Sequence, residues 1–200
     1  MNENPYQSPE SNLTNEEDIK QFEFYVVSIS KFTILFFATL GMYELYWFYQ
    51  NWKLYKVSND EQMWPVARAI FSIFFVYILF GLVDDHLERA KKSFAWSPGG
   101  LAIWYILFSI LGYVMDRLPT FDIGPVNSEL AGFLLLPLVY FTLVNAQKAI
   151  NLSQNDPEGE SNSSYTPGNY LWIALGGVFW LFLLTAIFME PLRNNGIVDF

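Results

Sequence analysis

From Phe32 to Phe48 the chain carries one formally charged residue, Glu44, within the longer stretch Lys31 to Lys56, KFTILFFATLGMYELYWFYQNWKLYK. An α-helix needs roughly 17–25 apolar residues to cross the hydrocarbon core of a bilayer, so this stretch predicts a membrane span. Tyr43, Tyr46, Trp47, Tyr49, Trp52 and Tyr55 crowd its C-terminal half, as expected of a helix end among lipid headgroups. Helical spacing puts Gly41, Glu44, Phe48 and Asn51 on one face. A carboxylate there must face protein or water. Arg68 enters the next apolar run after a short polar connection and is the candidate partner of Glu44. The alternative is that Arg68 snorkels to headgroups while Glu44 is protonated or locally wetted.

Thr39, Gly41, Tyr43, Tyr46, Trp47 and Tyr49 spell T-x-G-x-Y-x-x-Y-W-x-Y. This resembles the signature of a family of bacterial multi-pass membrane proteins catalogued as a domain of unknown function. The resemblance covers the first span and implies a bacterial membrane protein; it supplies no activity. The opening N-P-Y-Q-S-P, Asn4 to Pro9, resembles the short leader of various bacterial membrane proteins.

Composition agrees with a bilayer setting, because 52% hydrophobic and 19% aromatic residues exceed a soluble domain's share while 16% charged falls below it. A net charge of −9 excludes the basic stripe that a nucleic-acid binder needs. The absence of cysteine excludes thiol catalysis, disulfides and cysteine-based zinc sites. No cofactor fingerprint is present.

Further along, residues 1–20 read as a disordered acidic leader and residues 21–193 as a single helical membrane domain, followed by a short polar tail over 194–200. Gln21 to Lys31 alternates in places, which predicts a strand or an interfacial helix turn at the membrane surface. Ser58 with Glu61 at capping-box spacing, and Pro65, signal a helix start before a second span to about Val83. Asp84, Asp85, His86 and Glu88 invite a metal reading, but the histidine projects to another face. The favoured account is a pair of i,i+4 ion pairs, Asp85–Arg89 and Glu88–Lys92.

Ser97-Pro98-Gly99-Gly100 breaks the chain before a third span, Leu101 to Met115, and Leu118 to Glu129 forms a turn. Leu130 to Gln147 is the fourth span, in which Pro137 is expected to kink the helix and Asn145 to hydrogen-bond between helices. Asn151 to Asn169 reads as a mobile loop with N-x-S sequons at Asn151 and Asn162. Tyr170 to Met189 is the fifth span, where Gly176-Gly177 permits close helix approach.

The fold class expected is therefore all-α, a polytopic helical membrane protein with about five transmembrane helices. Five spans put the termini on opposite sides, and the basic cluster Arg89, Lys91 and Lys92 favours a cytoplasmic N-terminus in a bacterial inner membrane. No catalytic constellation is present, so the expected activity is non-enzymatic: a scaffold or regulatory protein partnered by another membrane protein or by itself. The alternative is a small transporter or lipid-handling protein acting as an oligomer, with Glu44, Arg68 and Asn145 lining a cavity.

Overall fold

A computed structural model describes residues 22–117 and 128–194. The acidic leader, residues 118–127 of the expected third loop and residues 195–200 of the tail lie outside the described residues. Seven α-helices follow in order: α1 Ile29–Ala38, α2 Tyr43–Asn59, α3 Pro65–Ile70, α4 Ser72–Arg89, α5 Pro98–Arg117, α6 Ser128–Ser153 and α7 Pro167–Asn194. Among the described residues there is no strand, so the all-α expectation holds. Among the described residues two helices are long and apolar enough to cross a membrane, over Pro98–Met115 in α5 and Pro167–Thr185 in α7. They match the third and fifth expected spans.

The first expected span is not one helix. It breaks between Ala38 and Tyr43 and folds back on itself. Leu40 and Gly41 take positive φ angles of 53° and 86°, and the Gly41 N–H donates to Phe36 O at 2.8 Å. A side chain is disfavoured at such a φ, so the glycine suits the turn it makes. The Thr39 hydroxyl donates to Leu35 O at 2.7 Å and accepts from the Tyr43 N–H at 2.9 Å, closing α1 and opening α2 with one group. Phe32 then meets Tyr43 and Trp47 at ring-centroid distances of 5.8 and 6.1 Å. In a straight helix those residues would lie about 16 and 22 Å further along the axis. The signature residues thus build a helical hairpin.

The second expected span is broken too, at Phe71 between α3 and α4. Pro65 begins α3 as its position suggested, whereas Ser58 caps nothing and donates instead to Phe22 O at 3.3 Å. Pro137 lies inside α6, which continues on either side of it. Asp85–Arg89 and Glu88–Lys92 form no ion pairs. Arg89 bonds the Asp85 carbonyl, and Lys92 Nζ reaches across to Leu152 O at 2.6 Å and Asn155 Oδ1 at 2.6 Å.

The loop after α2 and the end of α4, expected on opposite sides of a membrane, meet in one cluster. Glu23 accepts from Asn59 Nδ2 at 3.1 Å, and its carboxylate stands 3.2 Å from His86 Nε2 and 3.7 Å from Arg89 Nη2. Its N–H donates to Gln154 Oε1, just past α6, at 2.7 Å. The α1–α2 hairpin therefore enters and leaves at a single polar end of the molecule.

The core lies between the hairpin, α4, α5 and α6, with Trp47, Trp52, Phe32, Phe36, Phe48 and Tyr105 fully buried. α7 docks on the hairpin through one helical face. A Cβ on Gly176 would lie 1.8 Å from Ala38 O, and Trp180 Nε1 donates to Phe37 O at 2.9 Å. Gly177 has open space beside it, so close approach belongs to Gly176 alone. The outer faces are apolar, with Trp104, Leu107, Phe179, Leu181 and Phe182 all exposed.

Candidate functional site

Glu44 sits in the first turn of α2, just past the hairpin tip, because the Thr39–Met42 turn starts a new helix there. Its carboxyl faces the hydroxyl of Tyr105, which also hydrogen-bonds Ser72 Oγ at 2.9 Å and lies beside Ser109. Tyr105 and Ser72 are buried, so Glu44 is backed by a chain of hydroxyls running into the core. Its other side opens on a cleft of about 360 Å³ walled by Leu40, Met42, Leu45, Phe108, Leu135, Leu136 and Val139, with Ser109 and Tyr113 adding hydroxyls. One carboxylate on an apolar wall is the composition of a binding site.

A second cleft of about 260 Å³ lies on the other flank of the tip, between Leu35, Thr39, Tyr43 and Tyr46 of the hairpin and Gly168, Asn169 and Trp172 of α7. Met42 and Leu45 line both clefts. The hairpin tip is their common wall.

Glu44 and Arg68 do not pair. The guanidinium carbon of Arg68 lies 4.5 Å from the centroid of Trp52 and 5.2 Å from that of Phe75, a cation–π arrangement on the far side of α2's aromatic face. Among the described residues Asn145 makes no interhelical bond either; its Nδ2 donates to Phe141 O of its own helix at 2.7 Å. Of Glu44, Arg68 and Asn145, Glu44 lines the first cleft. Of the signature residues, Thr39 and Gly41 shape the tip, Tyr43 and Trp47 fill the core, Tyr46 lines the second cleft, and Tyr49 packs against the core.

The interhelical polar residues are others. Residues Phe22–Ser28 form neither helix nor strand and bend at Glu23 and Phe24, with Phe24 and Val27 fully buried, and side-chain amides take the place of a neighbouring strand. Asn51 Oδ1 accepts from the Tyr25 N–H at 3.0 Å. Asn151 accepts from the Val27 N–H at 3.3 Å and donates to Val27 O at 2.9 Å, while Gln147 donates to Tyr25 O at 3.0 Å and accepts from the Trp47 indole. Asn162 donates to Val26 O at 2.8 Å. Buried backbone groups must be paired somewhere, and here five amides including Gln154 do it. The expected mobile loop is correspondingly ordered: Lys31 Nζ ties it at Asn162 Oδ1 (2.6 Å) and Ser164 O (2.7 Å). Of the two sequons, the Asn151 amide is buried in the clamp.

His86 closes the clamp's outer end. Burial pushes it below the ordinary histidine value of 6.5; Glu23 opposes this, and Arg89 and Lys92 add to it. Its Nδ1 is buried with no hydrogen-bond partner, so a proton added there finds no acceptor. A histidine depressed in the fold contributes stability that is present above its unfolded value and lost as pH falls below it. Lowering the pH from about 7.5 to about 5.5 should therefore reduce the thermal midpoint, and His86→Gln should flatten that slope. An unchanged slope in the variant would locate the acid sensitivity elsewhere.

Among the described residues, no group of histidine, aspartate and glutamate could hold a metal ion. Comparison with known proteins finds no match to this chain in family models, curated proteins or solved structures.

Proposed function

We propose that this chain is a multi-pass, non-enzymatic protein of a bacterial inner membrane that handles a lipid or other amphiphile, taking a cationic or hydrogen-bond-donating headgroup at Glu44 and an apolar tail along the cleft. The cleft carries this reading: its one carboxylate lies against the Tyr105 hydroxyl on an otherwise apolar wall. A ligand bringing a positive charge or N–H groups would form charge-assisted hydrogen bonds there, the stronger kind. In the proposed arrangement α5, α6 and α7 cross the bilayer, and the α1–α2 hairpin dips in from the side that holds the N-terminus. The apolar outer faces of α5 and α7 support it, since contiguous exposed apolar surface of this extent is rare on soluble monomers. Three crossings keep the termini on opposite sides, and the basic cluster Arg89, Lys91 and Lys92 favours the cytoplasm for the N-terminal side.

The test is binding of dodecylammonium to the purified protein in a neutral detergent, read by thermal shift, with dodecanol and dodecyl sulfate for comparison. Glu44→Gln should weaken dodecylammonium binding about tenfold or more, the worth of a hydrogen bond to a charged group, while leaving the folded fraction unchanged. Equal binding by wild type and variant would reject the site. A variant that merely loses stability and partner recovery would favour the scaffold reading instead.

A further inference from the structure

Arg68 is the cation the Glu44 site does not use. α3 begins at Pro65, immediately after Trp64, and carries Arg68 one turn further on. The guanidinium lies on a fixed aromatic platform: Trp52 is fully buried and held edge-on by Tyr55 and Phe75 at 6.2 and 6.3 Å. A guanidinium presents five N–H donors in a planar fork, and here its face is occupied by Trp52 and Phe75. Among the described residues no carboxylate stands within ion-pair distance of Arg68 and no hydrogen bond engages it. The exposed side chains of α3, of Trp64 before it and of the start of α4 are apolar, with Trp64 at 82%, Phe74 at 72%, Ile70 at 61% and Val66 at 58%. A planar donor fork suits two phosphate oxygens. Exposed tryptophan beside apolar side chains suits the glycerol and upper acyl region of a lipid.

We infer that Arg68, seated on Trp52 and Phe75 and flanked by Trp64, binds the phosphodiester of an anionic phospholipid at the membrane surface. The site is distinct from the Glu44 cleft, whose ligand would carry the opposite charge. It rests on the membrane placement proposed above and on no property of that cleft.

The experiment uses the full chain in a neutral detergent, titrated with dihexanoylphosphatidylglycerol, with dihexanoylglycerol, which lacks the phosphate, and with inorganic phosphate, each read by thermal shift. Phosphatidylglycerol should raise the midpoint of the wild type at concentrations at least tenfold below those at which either control acts. Arg68→Gln should abolish the difference, and Arg68→Lys, which keeps the charge but loses the fork, should retain only part of it. Trp64→Ala alters an exposed side chain and should weaken phosphatidylglycerol without altering the response to phosphate, which keeps the test open should Arg68→Gln fail to fold. Equal responses in wild type and variants would overturn the proposal. An equal shift from inorganic phosphate would make this a free-anion site and overturn its lipid assignment. If the chain stays with membranes after a carbonate wash yet shows no phosphatidylglycerol response, this inference alone fails; if it washes off, the membrane placement fails with it.

Discussion

Replacing Asn151 with alanine should cost the fold about 3 kcal/mol or more and release Phe22–Ser28 from the helices. Asn151 is fully buried. One amide satisfies the Val27 N–H, the Val27 carbonyl and Gln147 Nε2, the last at 2.6 Å. Each buried polar group left without a partner costs about 1–3 kcal/mol; Val27 is fully buried, so its N–H and carbonyl would both be orphaned, while Gln147 Nε2 would keep Tyr25 O. Gln147 also holds Tyr25 O and the Trp47 indole, so the loss would propagate to α2. Denaturant titration of the detergent-solubilised protein gives the energy. Trypsin cleavage at Lys31, whose side chain is buried in the folded protein, reports release of the segment. Asn145→Ala is the matched control, six residues away on the same helix: among the described residues its amide bonds its own helix alone, and its loss should stay within about 0.5 kcal/mol. If the two variants cost the same, the amide clamp is not what holds the segment.

That contrast marks where the sequence could be read and where it could not. α5 and α7 were legible because an uninterrupted apolar run has few other places to go, and hydropathy alone finds it. The hairpin was not, although its signals were in view. Thr39-Leu40-Gly41 reads equally as the middle of an apolar span, where small residues are common, and as a helix end with glycine just past it. What decides between them is tertiary: Phe32 has Tyr43 and Trp47 to pack on only if the chain turns back. Glu44 reads from the sequence as a residue that must face something polar; its neighbour is Tyr105 on α5, three helices further along the chain, and no local pattern names a partner at that distance.

Asn145 and Asn151 were both visible as amides near the end of an apolar helix. In hindsight the informative feature was the spacing of Gln147, Asn151 and Gln154, one polar stripe at i, i+4 and i+7. A stripe of amides without charges is an unusual solvent face. It fits a surface that binds backbone, because amides offer both donor and acceptor. Read singly, Gln147 ends an apolar span while Asn151 and Gln154 fall in an expected mobile loop, and the segment they hold reads as a strand or an interfacial helix turn.

Gly176→Ala and Gly177→Ala should have opposite signs, although the two glycines are adjacent on one helix. A methyl group at position 177 meets nothing within 4 Å, and alanine is the better helix former by about 1 kcal/mol, so that variant should match or exceed the wild type in thermal midpoint. At position 176 the same methyl would lie 1.8 Å from Ala38 O and 2.7 Å from Ala38 C. Backbone cannot rotate out of the way as a side chain can, so α7 must move off the end of α1. That displacement stretches the Trp180 indole bond to Phe37 O and disturbs the turn whose residues Leu40 to Met42 line the Glu44 cleft. Overpacking of this kind costs about 1–3 kcal/mol, and the expected result is a lower midpoint together with weaker dodecylammonium binding. Should Gly176→Ala lose stability but bind as the wild type does, α7 supports the hairpin without setting the shape of its tip. Equal midpoints for the two variants would mean that α7 does not rest on Ala38 at all.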